Sequence, residues 1–394
     1  MRNKISLFFS VLIMTMVILS SLNPLIVSAE GEKIKKQSTN SIKPHNTESD
    51  ALSADGYNVK DLIAFNIGTR QIDVTLSNGT NFGGGLGGFQ LWNSNSGYNP
   101  SVWKLLKPSD VDGDGDVDII AFNTVNGQIN VTLSNGVNFG GGIGGFQVWN
   151  SKSGYSNAWT LLDPADVNGD LMADIIAYNP TTRQIDVTLS NGVNFGGGRG
   201  GFQVWNLNSG YNAPNWQLLS PADVNGDYLA DIIAFNKVTR QIDVTPSTGI
   251  NFGGGIGGYE VWNTNTGYNP SLWILLAPAD VDGDEIADLF AWNKTNGQIN
   301  VTLSYGYNFG GGRAGSIPVI VNSGYLCTPG YACNWKFLDP ADVNGDSFAD
   351  IIVSNGTRVY VTGTDSSDTE IWFTATELWN LNTGYTPTKW ILLD

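Results

Sequence analysis

One nine-residue pattern, Asp-x-[Asp/Asn]-Gly-Asp-x-x-x-Asp, recurs five times at intervals of about 57 residues, which limits the chain to folds assembled from like units. The copies run from Asp110 to Asp118, Asp166 to Asp174, Asp223 to Asp231, Asp280 to Asp288 and Asp342 to Asp350. The sequence between copies repeats as well. Trp103-Lys-Leu-Leu106 reads as a short apolar strand entering the loop, and Asp118-Ile-Ile-Ala-Phe-Asn123 as a buried strand leaving it. Gln128-Ile-Asn-Val-Thr-Leu133 alternates apolar and polar residues, as a half-buried strand does. A turn at Ser134-Asn135-Gly136, the glycine-rich run 140–145 and a fourth strand at Phe146-Gln-Val-Trp149 complete the unit. Four short strands with tight turns at this period predict a β-propeller blade.

The phase of the repeat predicts how the blades close. Asp61-Leu-Ile-Ala-Phe-Asn66 is a second strand lacking a first, and Trp390-Ile-Leu-Leu-Asp394 is a first strand with nothing after it. Trp103, Trp159, Trp216, Trp273, Trp335 and Trp390 open six first strands; Asn66, Asn123, Asn179, Asn236, Asn293 and Asn355 close six second strands. Joining the two half-blades closes a ring and removes exposed sheet edges. The expectation is an all-β, six-bladed β-propeller over residues 55–394.

The acidic loops predict a cation. Carboxylates at loop positions 1, 3, 5 and 9 converge only if the backbone curls around a common point, and such crowding needs a counter-charge. A hard ion taking six to eight oxygen ligands fits best, so calcium is the expected occupant, about five ions in a structural role. The ligands would be Asp110, Asp112, Asp114 and Asp118, with the Asp116 carbonyl at position 7; Asp166, Asn168, Asp170 and Asp174; Asp223, Asn225, Asp227 and Asp231; Asp280, Asp282, Asp284 and Asp288; and Asp342, Asn344, Asp346 and Asp350. An EF-hand would place Glu at position 12 between helices; here position 12 is Ala121, inside an apolar strand.

The same loops, each followed by an apolar strand, resemble the FG-GAP/VCBS repeat of integrin α-subunit propellers and secreted bacterial proteins, and are similar to propeller lectins built from such blades. The resemblance spans residues 55–394 and implies structural Ca²⁺ in the five matching loops. The chain departs from the pattern in blade one, where Ser53, Asp55, Tyr57 and Asp61 stand at ligand positions, and in blade six, which lacks the Asn-Phe-Gly-Gly-Gly segment. Its blade count also differs from the relatives, so their ligand sites are not carried over.

The ends and the bulk charge narrow the rest. Arg2 and Lys4 precede an apolar stretch from Ile5 to about Leu19, and Val27-Ser28-Ala29 suits cleavage, so residues 1–29 read as a signal peptide. Residues 30–54 are polar and read as a disordered arm. The expected product is secreted, without a membrane span. A net charge of −16 argues against nucleic acid, although the ligand positions of the five loops hold 17 of the 36 acidic residues. In an exported chain Cys327 and Cys333 are expected to form a local disulfide.

A second motif, Trp-Asn-x-[Asn/Lys]-[Ser/Thr]-Gly-Tyr, lies between the last strand of one blade and the first of the next. It brings together Trp92, Asn93 and Tyr98; Trp149, Asn150 and Tyr155; Trp205, Asn206 and Tyr211; Trp262, Asn263 and Tyr268; and Trp379, Asn380 and Tyr385. Aromatic faces beside amides suit a sugar pocket; the same residues equally suit packing of blade on blade. Catalysis finds little support, because the one histidine, His45, lies in the arm. The expectation is a glycan-binding propeller. The alternative is a protein-binding adhesion or scaffold module acting on cell-surface proteins through an irregular patch at 327–333 or 364–373. A glycoside hydrolase using Asp365, Asp368 or Glu370 comes third.

Overall fold

The structure, a computed structural model, describes residues 53–56, 59–313, 315–320, 323, 325–326, 335–367, 370–374 and 376–394. The signal peptide, most of the arm, His45, Tyr57 and the Cys327–Cys333 pair lie outside the described residues. Six four-stranded antiparallel sheets form the blades of a propeller. Blade 1 orders its strands Trp390–Leu393, Leu62–Asn66, Ile72–Thr75, Gln90–Asn93, so the C-terminal strand completes the N-terminal sheet as the repeat phase predicts. Blades 2 to 6 follow in chain order and end in fourth strands Gln147–Asn150, Gln203–Asn206, Glu260–Asn263, Ile317–Ile320 and Glu377–Asn380.

Burial follows the sequence pattern. Second strands such as Ile119–Asn123 and third strands such as Ile129–Thr132 are buried throughout, because each sheet is covered on both faces by its neighbours. First strands end at the axis. Lys107, which follows the first strand of blade 2, pairs with Asp339 at the same place in blade 6, 3.1 Å away, with blade 1 between them. Only near the axis can a contact skip a blade.

A belt of backbone hydrogen bonds joins the five loops that connect first to second strands and the segment that leads into the second strand of blade 1. The amides of Val117, Ala173, Ala230, Ala287, Ala349 and Lys60 donate to the carbonyls of Ser53, Asp110, Asp166, Asp223, Asp280 and Asp342, each in the preceding blade, at 2.7–3.1 Å. Ser53 and Ala54 are therefore part of the ring, two residues before the expected boundary, and Ala54 is fully buried. One residue earlier in each loop, the side chains of Asp116, Met172, Leu229, Ile286, Phe348 and Val59 sit over Gly56, Gly113, Gly169, Gly226, Gly283 and Gly345 of the loop before.

Blade 6 departs from the pattern. Where the other blades have a glycine-rich run between third and fourth strands, it has a two-stranded hairpin, Thr364–Ser367 paired with Glu370–Phe373. The second of these strands lies against the fourth strand of blade 5.

Candidate functional site: acidic loops and the seams between blades

Two of the five acidic loops gather carboxylates tightly. Single oxygens of Asp110, Asp112 and Asp114 lie within 4.8 Å of one another, as do those of Asp280, Asp282 and Asp288. Burial, then the neighbouring charges of Asp114 and Asp110, push Asp112 up to about 6. Burial pushes Asp118 up to about 9 and Asp350 to about 7, and lifts Asp174, Asp231 and Asp288 well above the carboxylate range. Burial is the largest cause in each, and the neighbouring loop carboxylates add to it. The donors are all oxygen, which fits a hard divalent cation.

The loops of blades 3, 4 and 6 differ in kind. Their position-3 amides Asn168, Asn225 and Asn344 donate from Nδ2 to Asp170, Asp227 and Asp346 at 2.9, 3.1 and 2.9 Å. Asp116 does not turn its side chain inward; a carboxylate oxygen lies 3.0 Å from where a Cβ on Gly56 would stand, beside Asp55. In blade 1 the Asp61 carboxylate accepts the amides of Ala54 and Ser77, and burial raises it to about 7.

The Trp-Asn-x-x-x-Gly-Tyr motif occupies the seams, as expected, but its side chains face inward. Trp92, Trp149, Trp205 and Trp262 are buried, and Trp379 nearly so. Each packs on the phenylalanine that opens the next blade's glycine run (Phe139, Phe195, Phe252, Phe309 and Phe82), with ring centroids 5.1–5.3 Å apart. The amides of Asn93, Asn150, Asn206 and Asn380 each donate to two carbonyls of that run, for example Asn93 to Phe139 and Gly144 at 2.9 and 3.0 Å. Asn263 donates to the Phe309 carbonyl in the same way. Within the run the third glycine, such as Gly142, already donates to the phenylalanine carbonyl at 3.0 Å, so the preceding blade's asparagine adds a second donor there. Tyr385, Tyr98, Tyr155, Tyr211 and Tyr268 hydrogen-bond Thr75, Thr132, Thr188, Thr245 and Thr302 at 2.7–2.8 Å. This corrects the expectation of open ring faces: these fifteen residues clamp blade to blade, the packing alternative.

What the seams do present to solvent escaped the sequence reading. Phe89, Phe146, Phe202 and Tyr259, the first residues after the glycine run in blades 1 to 4, are each a little under half exposed. Each rests on the clamp tyrosine of the same seam, centroids 5.9–6.1 Å apart. Each ring also lies over the glycine of the preceding blade's Trp-Asn-x-x-x-Gly-Tyr motif: a Cβ on Gly384, Gly97, Gly154 or Gly210 would stand 2.9–3.4 Å from it. In the glycine run that precedes the ring, two residues such as Gly141 and Gly142 have no atom within 4 Å of where a Cβ would stand, so each of these four blades offers a half-exposed aromatic face and a stretch of backbone open to solvent. The signal was available: a phenylalanine or tyrosine stands three residues before the tryptophan in each of blades 1 to 4.

No protein-family model matches the chain, and no curated protein matches it. Among solved structures it is similar to a lectin of Agrocybe aegerita described as recognising non-reducing terminal N-acetylglucosamine. The identity is 19%, covering 88% of this chain and 83% of that one, with a TM-score of 0.56. A Bacteroides caccae protein of unknown function matches at 7% identity over 84% of this chain and 93% of that one, with a TM-score of 0.37. The first likeness agrees with the propeller fold and, at its identity, speaks to the fold alone.

Proposed function

We propose that this protein is a glycan-binding propeller whose acidic loops hold divalent cations, calcium by their oxygen ligands, as structural staples. The observation that carries the reading is the fourfold recurrence of a half-exposed aromatic ring in a blade whose glycine run is open to solvent. A ring takes the C–H face of a sugar, and backbone amides and carbonyls of the run meet its hydroxyls. Four like sites around one ring suit a clustered ligand, because weak binding at each is multiplied by avidity. The similar lectin supports the same reading and suggests glycans ending in N-acetylglucosamine as first probes. A leader-like N-terminus supports export, where such ligands are met. We read the sites as binding rather than hydrolysing: the third-strand position in blades 1 to 4 is a buried acid at Asp73, Asp186 and Asp243 but an amide at Asn130, whereas glycoside cleavage uses two carboxylates in one cleft.

The test is a glycan array probed with the calcium-loaded protein, and again after chelation. Specific binding weakened by Phe146→Ala and Phe202→Ala, in protein that melts normally, supports the reading. A blank array from folded protein overturns it and favours a protein partner.

A further inference from the structure

Each blade that carries an exposed ring also holds, on its third strand, a buried polar side chain that the clamp does not use. These are Asp73, Asn130, Asp186 and Asp243 on the third strands of blades 1 to 4, all buried to within 1%. Each receives one hydrogen bond from the glutamine two residues before it: Gln71, Gln128, Gln184 and Gln241 donate Nε2 to Oδ1 at 2.5–2.7 Å. The remaining atoms, Asp73 Oδ2, Asn130 Nδ2, Asp186 Oδ2 and Asp243 Oδ2, have no partner within the protein. Left so, each carries the desolvation penalty of an unmet polar group, larger where the group is charged.

Blade 5 shows what the missing partner is. At the position of the exposed ring it carries Ser316, and Asn300 Nδ2, the counterpart of the orphaned atoms, donates to Ser316 Oγ at 3.3 Å. The Tyr268 hydroxyl joins the same cluster. Blade 6 has Thr376 at that position, 2.8 Å from the Thr362 hydroxyl, and Tyr360 in place of the acid or amide. Among the described residues, the blades with a ring are those with an orphaned atom, and the blades with a hydroxyl side chain have none at this position.

We infer that in blades 1 to 4 the orphaned third-strand atom takes a hydroxyl of the bound glycan, and that Ser316 and Thr376 fill the equivalent place in blades 5 and 6, leaving four ligand sites per chain. The inference rests on the glycan reading above. The chemistry follows from the mixture of partners. A carboxylate oxygen in three blades can only accept, and the Asn130 amide nitrogen can only donate. One ligand group satisfies both only if it donates and accepts: a cation would be repelled by the amide hydrogens and an anion by the carboxylates. A hydroxyl does both. Because Ser316 touches Asn300, the ring at the same position lies over the acid, so it is both the cover that a ligand displaces and the face it stacks on.

Calorimetric titration of the intact calcium-loaded chain with N,N′-diacetylchitobiose tests this by counting sites. Wild type is expected to take four per chain. Asp186→Leu removes the polar atom and should drop the count to three. Asp186→Asn turns blade 3 into a copy of blade 2 and should keep four, with altered affinity. Ser316→Phe releases Asn300 beneath a new ring and should raise the count to five. A count unmoved by Asp186→Leu and Ser316→Phe, in a wild type that binds, means that water and not sugar meets these atoms and overturns the inference alone. Absence of binding to this disaccharide and across the array, by folded protein, overturns the glycan reading and the inference with it.

Discussion

Gly141 and Gly145 stand in the same loop with similar backbones, φ +76° and +71°, yet a methyl group at the two positions meets different fates. At Gly141 it meets nothing within 4 Å; at Gly145 it would stand 2.0 Å from the Gly140 carbonyl oxygen, part of the backbone. Gly141→Ala should cost about 1 kcal/mol, the strain of a left-handed alanine. Gly145→Ala should cost about 3 kcal/mol or more, because the loop must open and leave the Asn93 clamp. Paired urea titrations would read the difference. At this scale the sequence was half legible. Trp149 and Asn150 looked like a ligand site because exposure is not written in residue type, and a buried asparagine satisfying carbonyls reads the same as one awaiting a sugar. Phe146 passed as an ordinary strand residue because the bulge between Ile129 and Asn130 resets which side chains face out.

At the scale of the element, the acidic loops fall into two kinds, and their response to metal should divide likewise. The loops of blades 2 and 5 carry four carboxylates each at the proposed ligand positions, while Asn168, Asn225 and Asn344 hold the other three loops by an amide contact of their own. Calcium titration of chelator-stripped protein should show two sites that fill first, and Asp282→Asn should leave one. Stripping should lower Tm, since a cation bound only by the folded loop adds its binding energy to folding. A loss of calcium binding without any change in Tm would deny the loops a structural role. The loop motif was fully legible; that blade 1 keeps its place in the hydrogen-bonded belt through Ser53 was not, because backbone bonding leaves no mark on side-chain identity.

For the whole molecule, the axis holds the least expected feature. Lys60 is buried, donates to the Asp339 carbonyl at 2.7 Å, and shares its surroundings with Lys107, Lys336, Asp339 and Asp394. Lys107 pairs with Asp339 and Lys336 with Asp394, which leaves Lys60 as the surplus cation. Burial lowers its pKa from 10.5 to about 8. A lysine with a depressed folded pKa favours the neutral form, so the fold should gain stability as pH rises from about 8 towards 10.5. Lys60→Met should be neutral or stabilising at pH 7 and should remove that gain; melts across pH 7–10 in both proteins would show it. The ring closure could be read from the phase of the strands. This cluster could not, because the residues that follow the first strands (Lys107, Asp163, Ser220, Ala277, Asp339 and Asp394) look like noise at one repeat position until the axis brings them together.

The belt linking loop to loop has a mechanical meaning. It is a hoop: six links in series with no free end, so an outward displacement of any one blade stretches all six. Five seams add a second fastening, a tryptophan and an asparagine gripping the next blade's glycine run. The seam between blades 5 and 6 has neither half of that grip, with Val319 and Ile320 where the tryptophan and asparagine stand elsewhere and a hairpin in place of the run. A hoop under load parts at its thinnest link, and in this six-bladed ring that link is opposite the seam between blades 2 and 3, which carries the exposed ring of Phe202.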